Sequence, residues 1–269
     1  MITPTRFNTK ALAFVHPSIA PINKIPQFKQ KSLEWLNQRK GFLTSSDSGA
    51  AIGCNPYCST DELLFKKCGI AKPFTGNIAT RHGERYEDEA IDRYCSVVGA
   101  VNYEFGLIPY KDVPRENHRP ELDFLAGSPD GIALPLNATE ETDAVLIEVK
   151  CPFRRKPKQG CCPEVYLPQV QLNMLICNLK VADFIEYIPK GQELFITRIY
   201  RDDVWLEQKL PTLIKFWDQV KHCRENGLED HPKYAKIRAQ VDKALAKEQE
   251  ALQHKAVEMT YMMTDSDSD

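Results

Sequence analysis

The chain has 269 residues, 42% of them apolar, with a formal net charge of −2 and a pI near 6.3. That is enough apolar material for one large core, but no apolar run approaches the roughly 20 residues of a bilayer span, and the charge excludes the global basicity of proteins that coat nucleic acid. Nine cysteines, odd in number, scattered and without a C-x-x-C pair, read as reduced thiols of an intracellular protein, with a structural zinc or iron–sulfur cluster through Cys54, Cys58, Cys161 and Cys162 as the lesser alternative.

Residues 1–29 carry Pro4, Pro17, Pro21 and Pro26 with weak periodicity, and are expected to form an arm over the surface or over a neighbouring subunit. No compact apolar segment precedes a small-residue cleavage site there, so the expected setting is the cytoplasm or a host nucleus. A short helix is predicted from Ser32 as N-cap to Gly41, with Leu33, Trp35 and Leu36 as its apolar face. Thr44-Ser45-Ser46-Asp47 marks a second helix start that ends at Gly53, and Ser59-Thr60 a third that carries Leu63, Leu64 and Phe65. A longer helix spans about Ile78 to Val98, with Ala90, Ile91, Tyr94 and Val97 at helical spacing.

After Gly99 the pattern changes to short runs rich in β-branched and aromatic residues. Strands are predicted at Val101–Phe105, Phe124–Gly127, Ala144–Val149, Ala182–Ile188 and Leu194–Tyr200, with a helix from about Val165 to Leu179 between the third and fourth. Helices first, then a mixed sheet interrupted by a crossover helix, argue for an α/β core. Beyond Asp202, Leu206, Leu210, Leu213, Trp217 and Val220 recur at helical spacing, with Pro211 expected to kink the segment. A last charged helix covers roughly Pro232 to Val257 within a terminal segment 228–258, and residues 259–269 form an acidic tail expected to be disordered.

The residues that carry chemistry lie at the turn Ser128-Pro129-Asp130-Gly131 and, seventeen residues after Gly131, at Glu148-Val149-Lys150. Glu148 and Lys150 are two apart on a predicted strand and project to one side, while Val149 points into the core and leaves its carbonyl for a metal shell. Charge at the end of a buried strand is costly unless it binds something. Hydrolysis of a phosphodiester needs a water placed against a phosphorus shielded by anionic oxygens, which carboxylate-held Mg²⁺ achieves. Asp130 and Glu148 are therefore candidate metal ligands, and Lys150 the group that orients the water and offsets transition-state charge. Arg154, Arg155, Lys156 and Lys158, in a stretch with no acid between Val149 and Pro163, are placed to follow a phosphate backbone.

Four blocks stand in order: Arg39-x4-Thr44-x-Ser46, Gly83-x-x-Tyr86-Glu87, the Asp130 and Glu148–Phe153 pair of motifs, and Gln169-Val170-Gln171. In these the chain, from about Trp35 to Ile188, resembles the viral recombination exonucleases of the PD-(D/E)xK superfamily, the group of phage lambda exonuclease and the YqaJ domain. The resemblance implies a restriction-endonuclease-like α/β fold, a mixed central sheet flanked by helices, with a nuclease domain over residues 30–227. It implies two Mg²⁺ ions, replaceable by Mn²⁺, with Asp130, Glu148, the Val149 carbonyl and Glu87 as ligands, Lys150 as catalytic lysine and Gln169 beside the site. It implies a 5′-phosphate pocket at Arg39, Thr44 and Ser46, which suits an anion at a predicted helix start facing a forked cation. The implied activity is 5′→3′ exonucleolysis of one strand of double-stranded DNA, serving recombination, with a single-strand-annealing protein as partner and a ring-shaped homotrimer as assembly. The apolar residue that in this family wedges the duplex is replaced by Thr80, with Ile78 nearby. A structure-specific endonuclease of the same core, an iron–sulfur nuclease, and a DNA-binding module with an inactive site are the rival readings; intact Asp130, Glu148 and Lys150 argue against the last.

Overall fold

The computed structural model describes residues 16–73 and 76–265. It divides into two units, one of Met1–Tyr57 with Gly76–Trp217, the other of Cys58–Thr75 with Asp218–Asp269. Along the chain the helices and strands are α1 (Ala20–Asn23), α2 (Leu33–Lys40), β1 (Leu43–Thr44), α3 (Ser48–Ala51), α4 (Thr60–Lys67), α5 (Ile78–Val98), β2 (Ala100–Tyr103), β3 (Ile108–Pro109), β4 (Leu125–Gly127), β5 (Gly131–Pro135), β6 (Val145–Lys150), α6 (Leu167–Ile176), β7 (Val181–Ile188), β8 (Glu193–Tyr200), α7 (Asp203–Asn226) and α8 (Tyr234–Asp265).

The first unit is built on a five-stranded mixed sheet in the order β2-β5-β6-β7-β8. Strands β6 and β7 are parallel, in register from Val145↔Val181 to Lys150↔Glu186, and the other neighbours are antiparallel. A parallel pair needs a crossover, and α6 supplies it. Strand β6 is buried on both faces, which is why Val-Leu-Ile-Glu-Val reads as a continuous apolar run broken by one acid. Ile147 and Val149 join Ala90, Ile91 and Tyr94 of α5 in one cluster, together with Ile185 and Tyr187 of β7. Period-two alternation therefore sends Glu148 to the opposite face, where α6 lies. A second sheet, β1-β4-β3, brings α2 and the turn after β4 toward the same end of β6.

The five predicted strands form with shifts of one or two residues, α5 spans the predicted Ile78–Val98, and α6 is shorter than predicted by two residues at its start and three at its end. Three strands have no sequence signal: β1 and β3 are two residues each, and β5 starts at a turn glycine and ends on proline without alternation. The helix predicted from Thr44 to Gly53 is a 3-10 turn over Ser45–Asp47 followed by only four α-helical residues, because small polar residues compete for the backbone there. Helix α2 forms as predicted, capped by Ser32, but it buries none of its residues, and Leu33 is 70% exposed. Residues 1–15 of the expected arm lie outside the described residues; from residue 16 the segment packs into the core, with Ile19, Ile22 and Ile25 buried. Three isoleucines at a spacing of three make one apolar face, a pattern the prolines hide.

In the second unit, Leu63, Leu64 and Phe65 of α4 are buried, and Phe65 packs edge-on against His231 with ring centroids 5.2 Å apart. Arg224 donates from Nε and Nη2 to the Lys67 carbonyl and so closes the C-terminal end of α4. The N-terminal end carries a capping box, in which Ser59 Oγ accepts from the Glu62 N–H while the Glu62 carboxylate accepts from the Ser59 N–H. Ser59→Ala is expected to cost about 1 kcal/mol of stability, read by urea denaturation. Helix α8 runs to Asp265, past residue 258 and into the segment expected to be disordered; three methionines there favour helix, and no glycine or proline breaks it. Residues 266–269 of that expected tail lie outside the described residues.

Candidate active site

The turn between β4 and β5 is tied down from outside. Trp35 Nε1 donates to Ser128 Oγ at 3.2 Å, and Gln30 Nε2 donates to the Pro129 carbonyl at 3.3 Å. Gly131 leaves room for the Asn102 side chain, since a Cβ there would lie 1.9 Å from Asn102 Oδ1 and force that amide to move. Asp130 is thereby aimed at β6, where its Oδ2 accepts from the Val149 N–H at 2.6 Å. The sequence motif and the strand motif meet through this one hydrogen bond.

Glu148 is fully buried. Its Oε1 accepts from Lys150 Nζ and from Gln169 Nε2, both at 2.5 Å, and its Oε2 accepts from Asn173 Nδ2 at 3.3 Å. Lys150 also donates to the Val149 carbonyl at 3.0 Å, so that oxygen, expected to be free, is engaged by the lysine. Tyr166 presents its ring 5.4 Å from Lys150 Nζ. Burial pushes the Glu148 carboxyl up to about 7, and Asp130 and Glu87 push the same way against the pull of Lys150. Glu87, from α5, is likewise raised to about 7 by burial and by Asp130. Burial also raises Asp130. Burial pulls the Lys150 pKa down, but Glu148 and Asp130 outweigh it and hold the pKa above the usual lysine range.

Of these groups Glu87, Val149, Lys150, Tyr166 and Gln169 line a cleft of about 1100 Å³, together with Ser46, Ile78 and Arg154. The phosphate-pocket candidates also come together. Arg39 Nη2 donates to Thr44 Oγ1 at 3.0 Å and to Ser46 Oγ at 2.8 Å, and its guanidinium lies 4.3 Å from the centre of the Trp35 ring. Burial lowers the Arg39 pKa, and Asp47 partly offsets this. The full helix start expected to aid anion binding at Ser46 is the short 3-10 turn described above, which leaves the guanidinium of Arg39 as the charged group of this cluster that faces Ser46. Of the basic stretch, Arg154, Lys156 and Lys158 are exposed, whereas Arg155 pairs with buried Glu186. Ile78 is 61% exposed on the cleft, while Thr80 is bound to Asn77, its hydroxyl at 3.2 Å from Asn77 Oδ1.

Sequence reading missed four residues. Lys31, with a left-handed φ of 68°, lines the cleft, and its charge partly opposes the rise that burial imposes on Glu87 and Asp130. Tyr166 and Gln30 gave no motif. Asn173, one helical turn after Gln169, was legible in principle from the spacing of four.

Among the described residues no group of three His, Cys, Asp or Glu side chains has metal-holding spacing, and none of the nine cysteines is in a disulfide bond. The donor chemistry nevertheless fits a hard divalent cation: three carboxylates and a carbonyl oxygen, with each acid raised by burial or by its neighbours in a way that a cation would relieve. No helix of the described residues is long and apolar enough to cross a membrane.

The family model of the YqaJ-like viral recombinase domain matches residues 34–180. An uncharacterized protein of Acanthamoeba polyphaga mimivirus, R354, is 32% identical over 174 residues, which are 61% of this chain and 30% of that protein. The chain thus spans less than a third of the length of that relative. Two crystal structures of LHK-Exo, an alkaline exonuclease from Laribacter hongkongensis, share the fold. The complex with dAMP has a TM-score of 0.56 at 25% identity, covering 77% of this chain and 100% of that one. The second has a TM-score of 0.53 at 24% identity, covering 85% and 100%. The expected restriction-endonuclease-like α/β core is therefore present.

Proposed function

The chain belongs to the YqaJ-like viral recombinase domain family, and on that premise we propose that it is a metal-dependent exonuclease that degrades one strand of double-stranded DNA from its 5′ end. The observation that carries the reading is the hydrogen-bonded convergence of Asp130, Glu148 and Lys150 beside a cleft that also holds Glu87 and Gln169. Asp130, Glu148, Glu87 and the Val149 carbonyl would hold two Mg²⁺, or Mn²⁺ in their place. When bound, the ions would polarise the phosphate oxygens and acidify water. Lys150, released from the Val149 carbonyl, would hold the attacking water and offset the charge that grows on the pentavalent phosphorus.

Arg39, Thr44 and Ser46 would hold the terminal 5′-phosphate and so decide which bond lies over the carboxylates; Arg154, Lys156 and Lys158 would follow the backbone of the strand. Ile78, exposed on the cleft, would be the apolar group that parts the duplex end. Recombination is the role this activity would serve, with a single-strand-annealing protein as partner and a homotrimeric ring as assembly.

The test is a time course on end-labelled linear duplex and on covalently closed circular DNA with Mg²⁺. Mononucleotide release from the linear substrate with the circle intact is the expected result. Cutting of the circle would replace the exonuclease reading by a structure-specific endonuclease on the same core.

Two carboxyls with pKa values near 7 also set a pH dependence. Below that pH they are protonated and bind a cation poorly, so initial rates are expected to fall as the pH is lowered through 7. The same shift acts on stability: a carboxyl raised above its unfolded value stabilises the fold most at acid pH and loses this as the pH rises through 7. Mg²⁺ is therefore expected to raise the Tm more above pH 7 than below it. An equal rise on both sides would place the cation elsewhere.

A further inference from the structure

We infer that Asn173 is a positioning residue, the second arm of a neutral amide clamp that fixes the orientation of the Glu148 carboxylate for a divalent cation. The inference rests on the metal-dependent reading of the site. Gln169 and Asn173 lie four residues apart on α6 and take different oxygens of the same carboxylate, Oε1 and Oε2. Holding both oxygens removes the rotation about the last side-chain bond, which is broad for an unrestrained glutamate. Amides do this without adding charge. Lys150, by contrast, neutralises the carboxylate it touches and competes with a cation for it.

Asn173 has no packing reason to be polar. It is fully buried, and its Oδ1 has no hydrogen-bond partner among the described residues, a cost that an apolar side chain of the same size would avoid. The backbone of β4 is shaped around it: a Cβ at Gly127 would come within 2.4 Å of Asn173 Oδ1. Gly127 does not have a positive φ, so its lack of a side chain serves the space and not the backbone. Strand β4, helix α6 and strand β6 thus meet at one amide that, among the described residues, donates to Glu148.

Mn²⁺ binding to the full chain without DNA, by calorimetry or electron paramagnetic resonance, tests the clamp. Asn173→Leu removes the unpaired Oδ1 but also takes the amide donor from Glu148 Oε2, so the Tm is expected to change little while Mn²⁺ binding weakens about 10- to 100-fold. Turnover should fall with the KM for DNA ends unchanged. Gly127→Ala leaves α6 untouched but pushes the amide away, so it should give the same loss, and the double variant should lose no more than either single one. Should Asn173→Leu fail to fold, Gly127→Ala carries the test. Mn²⁺ affinity at the wild-type level in the variants overturns the clamp alone. A wild-type chain that binds no Mn²⁺ overturns the metal reading of the site and the clamp with it.

Discussion

Lys150→Ala is expected to reduce strand cleavage by about 10³-fold, the scale of a lost proton-handling or charge-stabilising group, while duplex binding in the presence of a chelator is retained. The side chain sits between Glu148 Oε1 and the Val149 carbonyl, so in the free protein it occupies the face of the site on which a cation and its water would lie. Its removal leaves Glu148 buried without its cation. The carboxyl is already raised to about 7 and responds by rising further and taking up a proton, so the fold should survive near neutral pH. Chelation of divalent ions from the wild-type protein should stop cleavage outright, and added Mn²⁺ should restore it. Turnover by Lys150→Ala within a few-fold of wild type would remove the lysine from the mechanism. Turnover in chelator would remove the metal.

Arg39→Ala is expected to slow digestion of 5′-phosphorylated ends by about 10- to 100-fold, the worth of a charged hydrogen bond in a partly buried site, with little change for ends bearing a 5′-hydroxyl. The guanidinium is positioned three ways: by the Thr44 and Ser46 hydroxyls and by the Trp35 ring. Arg39→Lys should recover only part of the loss, because an ammonium keeps the charge but neither the fork nor the stacking. The measurement is single-turnover digestion of matched ends with and without the phosphate. Equal slowing of both kinds of end would show that this group does not read the phosphate.

What could be read before folding is best seen at three places. Glu148 and Lys150 were legible because two residues on one strand must share a side, and a lone acid in Val-Leu-Ile-Glu-Val-Lys stands out against its neighbours. The Arg39 block was visible as a motif, yet the helix expected to support it is a 3-10 turn, since short polar segments are decided by packing more than by propensity. The carbonyl of Val149 was expected to be free, and Lys150 takes it; a flexible four-carbon side chain finds the nearest acceptor, which no pattern in the chain specifies.

The amino-acid sequence by itself determined the α/β class, the crossover helix and the chemical identity of the residues at positions 130, 148 and 150, because caps, turn residues and side-chain periodicity are local properties of neighbouring residues. Only the tertiary structure decided that Asp130 bonds to the backbone of β6, that α6 lays Gln169 and Asn173 on the two oxygens of one glutamate, and that Lys31 and Glu87 face the same acids. Those contacts join segments up to about a hundred residues apart. They arise from the parallel pairing of β6 with β7 and the packing of two sheets, which are set by burial of the whole core and not by any short stretch of it.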